Sequence, residues 1–135
     1  MSLALESSLT GLLTATSHRA GFRRALVCTQ DGLLVASSGA SGDERDERLA
    51  ALVAMFDDVV LRARRDLGLQ AVDELTLLDG EEGRVVVRPL ADAPEGRMFL
   101  VVELPRGASW RRHTGALRSD VVTRLRAAFP AEVSS

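Results

Sequence analysis

Asp31-Gly32, set between two apolar runs, limits the fold of this chain more than any other feature. FRRALVCTQ precedes it over residues 22 to 30, and LLVASS follows it. An Asp-Gly pair supplies the positive φ angles of a tight hairpin turn, so the spacing predicts an antiparallel β-hairpin over residues 22 to 37. Gly21 closes a helix before it, in which Leu5, Leu9, Leu12 and Leu13 recur at helical spacing. Ser41-Gly-Asp-Glu44 after it has the spacing of a capping box, which starts a second helix.

That second helix is expected to run to about Leu67, with Gly68 taking the left-handed position that ends it. Leu49, Leu52, Val53, Phe56, Val60, Ala63 and Leu67 lie on one arc and are expected to face the sheet. The opposite arc carries Ala51, Ala54, Met55 and Leu61 beside Asp58, Arg62 and Arg65. It is smoother and more apolar than a solvated face, which predicts that something covers it. Three strand patterns follow, at 72–79, 84–90 and 97–104. They are separated by Gly80-Glu-Glu-Gly83 and Pro94-Glu-Gly96, and Pro105-Arg-Gly107 marks the exit. A last helix over about 109 to 128 sets Trp110, Leu117, Val121, Leu125 and Ala128 on one side.

The order is α-β-β-α-β-β-β-α, without the β-α-β alternation and glycine fingerprint of a nucleotide-binding sheet. Strands joined by short turns predict an α+β fold with a central five-stranded antiparallel sheet. The long middle helix should cover one face, and the terminal helices the other. With 46% hydrophobic residues, 135 residues suit one domain with its own core, about 3–128, and a short tail at 129–135.

Composition removes several classes of function. A net charge of −2 argues against a nucleic-acid binder. All 17 basic residues are Arg, and Lys, Ile, Asn and Tyr are absent, the mark of a GC-rich bacterial genome. The single Cys28 lies within an apolar strand pattern, where it reads as a core residue in a reducing, cytoplasmic compartment. No apolar run is long enough to insert in a membrane, and the first basic residue, Arg19, comes too late for an export signal.

No catalytic, cofactor or metal site is expected, and the protein is read as no enzyme. His18 and His113 have no second ligand at workable spacing, and a Cys28-His thiol dyad is set aside because Cys28 sits mid-strand. Asp57-Asp58 and Glu81-Glu82 are read as solvated, and the acids Asp43, Glu44, Asp46 and Glu47 as complements of a helix dipole. Arg106, Arg111, Arg112, Arg118, Arg124 and Arg126 are read as a solvated helix face, the competing reading being a basic strip for an acidic partner. Trp110 is read as a core anchor rather than an exposed stacking residue.

FRRALVCTQDGLLVASSG followed by DERLAALVAMFDDVVLRARRDLG resembles the roadblock/dynein light chain domain family, in particular its bacterial branch of Ras-like GTPase regulators. The match extends loosely from about Leu9 to Leu125. The resemblance implies a profilin-like fold and a homodimer formed through the middle helix and the strand after it. It also implies a small Ras-like GTPase as partner, acted on without a catalytic side chain of the regulator's own. On this reading the interface comprises Ala51, Ala54, Met55, Asp58, Leu61, Arg62, Arg65, Leu75 and Leu77. A scaffold or sensory module that binds another signalling protein or a small ligand is the alternative.

Overall fold

The computed structural model describes residues 3–39, 44–69, 73–79, 83–90 and 96–129. The elements run α1 Leu3–Ala20, β1 Arg24–Thr29, β2 Leu34–Ser37, α2 Glu44–Leu67, β3 Leu75–Asp79, β4 Gly83–Pro89, β5 Met98–Pro105 and α3 Arg111–Ala128. This is the predicted order. All strand pairings are antiparallel, and the sheet order is β2-β1-β5-β4-β3. The first hairpin and the later three strands therefore join at β1 and β5, which become neighbours inside the sheet. β2 and β3, the two strands that α2 connects, lie at opposite edges.

The β1–β2 hairpin forms where expected, but its turn differs. Among the described residues only glycines take positive φ; Gly32 does so at +84° and Asp31 does not. The reason lies in Thr29. Its carbonyl accepts from Gly32 N–H at 3.0 Å, its N–H donates to the Leu33 carbonyl at 2.9 Å, and its hydroxyl accepts from Leu33 N–H at 3.2 Å. One left-handed residue then suffices to close the turn. Gly32 is also required for space: a Cβ there would lie 3.2 Å from the Ala50 carbonyl oxygen and 3.3 Å from Ala51 Cα, both backbone atoms of α2. Between Val27↔Ala36 and Cys28↔Leu34 the ladder leaves Val35 as an extra residue, a bulge on edge strand β2.

Strand alternation divides the core in two. On one face Leu5, Leu9 and Leu13 of α1 and Leu117, Val121 and Leu125 of α3 pack against Ala25, Val27, Val86, Leu100 and Val102. On the other, Leu49, Ala50 and Val53 of α2 pack against Leu26, Cys28, Val85, Val87, Phe99 and Val101. The helices lie on the faces predicted for them.

Three core assignments change. Leu67 is 73% exposed, and Val60 and Ala63 are only half-buried, because α2 is longer than the sheet beneath it, whereas Leu52 and Phe56 are half-buried because they sit to one side of the buried stripe of Leu49, Val53 and Asp57. At ~1.5 Å per residue its 24 residues span roughly 36 Å. Ala128 is exposed at the free end of α3. Asp57, expected in solvent, is buried. The Ser41–Glu44 capping box, the Gly80–Gly83 loop and the Pro94–Gly96 turn include residues outside those described. Gly68 ends α2 at φ +69° as expected, and Asp79↔Gly83 brackets the second hairpin.

Candidate protein-interaction surface

Helix α2 meets the sheet through a stripe of five buried residues, Asp46, Leu49, Ala50, Val53 and Asp57. Their spacing is helical, but two of the five are acids. Each is matched by an arginine of the sheet or its margin. Arg24 Nη1 donates to Asp46 at 2.7 Å, and Asp46, with no exposed surface, also accepts from the Ser37 hydroxyl. Arg24 Nε donates to Glu103 at 3.0 Å, and Arg45 donates to the same carboxylate. At the far end of the stripe Arg97 grips Asp57 with two bonds, at 2.6 and 3.1 Å. An ion pair thus fixes each end of the helix–sheet contact, and charges so paired are tolerated in a buried setting.

Beyond Asp57 the helix overhangs. Phe56, Val60, Ala63 and Leu67 form an apolar row one residue round from the buried stripe, and Met55 and Val59 extend it outward. Met55 is 69% and Val59 60% exposed. Below this row the sheet offers Leu75, Val87, Pro89 and Phe99, which with Phe56, Asp57 and Val60 line a small apolar cleft. β3 borders the cleft and is paired on one side only. An apolar helix flank thus adjoins an unpaired strand edge.

The residues singled out from sequence fall on two parts of this surface. Ala51, Met55, Asp58, Leu61, Arg62 and Arg65 are exposed and Ala54 is half-buried. The outermost of them are polar: Arg62 pairs with Asp58 at 3.2 Å, and Arg65 with Asp66 at 2.9 Å. Leu75 and Leu77 are half-buried against the α2-side core, on the sheet face beside the cleft. Val59 and Leu67 complete the apolar flank, and sequence reasoning missed them: Leu67 had been given to the core, and Val59 belongs to neither arc. The acids Asp46 and Asp57 were missed too. Their signal was the same three- and four-residue spacing as Leu49 and Val53.

The groups considered for chemistry are placed apart. Cys28 is fully buried, and desolvation pushes its thiol up to about 12, far from a reactive thiolate. His18 is exposed, whereas His113 stands edge-on to Phe22 at 6.2 Å. Among the described residues no group of three or more His, Cys, Asp or Glu side chains is arranged to hold a metal, and no helix is long and apolar enough to cross a membrane. The arginines of the last segment do not form one strip. Arg118 donates to the Pro89 carbonyl at 2.7 Å, Arg124 to Ser8, and Arg111 lies over Trp110, while Arg106, Arg112 and Arg126 are exposed. Trp110 is half-buried, packed against the α1/α3-side core with Arg84 and Arg111 over its ring, so it is both anchor and stacking surface.

The sequence pattern of the Roadblock/LC7 domain matches residues 11–103. Among solved structures, an MglB with a tetrameric arrangement is 21% identical, with 96% of each chain covered and a TM-score of 0.76. The gliding protein MglB from Thermus thermophilus is 20% identical over 94% of this chain and 95% of that one, with a TM-score of 0.74. Myxococcus xanthus MglB is 14% identical over 90% and 97%, with a TM-score of 0.73. No curated protein matches the chain.

Proposed function

This chain belongs to the Roadblock/LC7 domain family, and from that premise we propose that it is a homodimeric, non-enzymatic regulator or adaptor of a bacterial Ras-like small GTPase, acting in the cytoplasm. The observation that carries the reading is the apolar flank of α2, where Phe56 and Val60 share a cleft with Leu75 of edge strand β3 and Met55, Val59 and Leu67 stand exposed. A second copy answers both needs at once. Its β3 supplies the missing strand partner, and its α2 covers the overhanging row. Ala51, Ala54, Asp58, Leu61, Arg62 and Arg65 then form the rim, where α2 of one protomer passes its partner and meets the GTPase. Leu75 and Leu77 lie at the joint.

The GTPase half of the reading draws on the resemblance to the bacterial regulator branch and on the likeness in fold to MglB proteins. On this reading the protein acts by binding the hydrolysis-competent conformation of its partner more tightly than the other, a shift bounded by that difference in affinity. Light scattering checks the dimer. Wild type is expected at twice the chain mass and Val59→Glu at the chain mass, since a lone carboxylate in an apolar joint is costly. A monomeric wild type, or a dimeric Val59→Glu, overturns the interface. Capture from the native cell checks the partner, with a nucleotide-dependent small GTPase as the expected prey; its reproducible absence removes the GTPase assignment and leaves the dimer standing.

A further inference from the structure

On the sheet face opposite α2, the structure gathers arginines that no carboxylate among the described residues pairs with. Arg84 at the start of β4 places its guanidinium carbon 4.0 Å from the centroid of the Trp110 ring. Arg111, at the start of α3, approaches the same indole at 4.4 Å. Two like charges share one aromatic surface, and neither is paired with a carboxylate among the described residues. Arg112 follows on the first turn of α3, which carries no acid. Arg106 stands exposed one residue past the end of β5, where the Gly83↔Pro105 register puts it beside the start of β4. Glu74 beside the cluster is engaged otherwise, accepting from Trp110 Nε1 at 3.4 Å and from the Thr76 hydroxyl at 3.0 Å. Directly across the ladder from Arg84 is Leu78, 54% exposed.

We infer that Arg84, Trp110 and Arg111, with Leu78 beside them and Arg106 and Arg112 at the rim, are a docking surface for an acidic, extended segment of a partner protein. The chemistry selects this occupant. A guanidinium fork matches a carboxylate in two parallel bonds, and stacking on the indole holds both forks in place before the partner arrives. Leu78 and the half-buried Trp110 set apolar surface beside the arginines, which suits a chain of alternating acidic and apolar side chains. A continuous anionic surface fits less well, because Asp73 and Glu74 edge the cluster and would oppose it; Asp73 already lies 3.5 Å from Arg88. The inference rests on the fold and needs neither the GTPase nor the dimer. Joining two β3 edges would place two such surfaces on one face of the combined sheet.

Trp110 makes the test direct, since the chain has one Trp and no Tyr, and its intrinsic fluorescence reports this surface alone. The probe is a synthetic peptide of alternating Glu and Leu, titrated against the full chain at low salt. A saturable change in Trp110 emission is expected, weakening as salt rises. Arg84→Ala and Arg111→Ala should each weaken binding about tenfold, and the peptide with Gln in place of Glu should not bind. Circular dichroism matching wild type establishes that the variants are folded, and Arg111, being exposed, provides the safer of the two. No saturable change, equal binding of the Gln peptide, or full binding by folded Arg84→Ala and Arg111→Ala overturns the proposal. Displacement of the peptide by tripolyphosphate at equal or lower concentration also overturns it, in favour of a general anion surface.

Discussion

Asp46 shows how much one side chain can decide. In the sequence it is one of four acids at a helix start, where charge complements the helix dipole from solvent. In the fold it turns inward and accepts from both Arg24 and Ser37 without touching water. Removing it takes one carboxylate from Arg24, which keeps Glu103, and leaves the Ser37 hydroxyl proton without its acceptor, although Gly39 N–H still donates to the Ser37 oxygen. Asp46→Ala is therefore expected to cost about 3 kcal/mol, the lower end for a broken buried pair, because Arg24 keeps one partner. Thermal unfolding at fixed protein concentration should show the midpoint lowered by roughly 10 °C. A change within ~1 °C would mean that water reaches Arg24 freely. The exposed acid Glu44, paired with Arg48 one turn on, is the internal control, where truncation should cost only a few tenths of a kcal/mol.

Among the elements, α2 carries the structural and the proposed functional burden on different segments. Its first half is held by Leu49, Ala50 and Val53 in the core, its second half by little beyond the Asp57–Arg97 pair. Arg97 is itself placed by a reciprocal contact: its N–H donates to Gln30 Oε1 at 3.1 Å, and its carbonyl accepts from Gln30 N–H at 2.9 Å. The first hairpin thus fixes the arginine that fixes the helix. Arg97→Ala should loosen the overhang without melting the whole helix. Amide hydrogen exchange is the measurement: faster exchange over residues 58–67 and unchanged protection over 46–53 are expected. Uniformly faster exchange along α2 would show the pair to be a clamp on the entire helix instead.

At the scale of the whole molecule, the proposed regulation of a GTPase depends on where an exposed arginine could reach. Of the 17 arginines, Arg106 is the one that combines exposure with a turn of its own, between Pro105 and Gly107, the latter at φ +87°. An inserted finger is worth about 10³ to 10⁵ in hydrolysis rate. The turn is short and closed by Ala108 N–H donating to the Pro105 carbonyl at 3.2 Å, so its reach toward a nucleotide is small. With a captured GTPase in hand, Arg106→Ala is expected to leave stimulated single-turnover hydrolysis within about tenfold of wild type. A loss of ~10³-fold with binding intact would make Arg106 a finger and replace conformational selection as the mechanism.

The sequence by itself determined the elements, their order and the two faces of the sheet, because these follow from local period and turn chemistry. Leu5, Leu9 and Leu13 repeat at helical spacing, β5 reads as an apolar run broken by Glu103, and Gly32 and Gly68 punctuate where the backbone needs positive φ. The apolar character of α2 beyond its core stripe was legible there too. The side on which that surplus lies was not, since an arc has no meaning until the sheet takes up one side of the helix. Only the tertiary structure decided that Asp46 and Asp57 turn inward, because their partners Arg24 and Arg97 are 22 and 40 residues away in the chain. It likewise brought Arg84 and Arg111 to one indole. Contacts between residues so far apart leave no period in the sequence; they exist only once β1, β4 and β5 share a sheet and the helices close over its two faces.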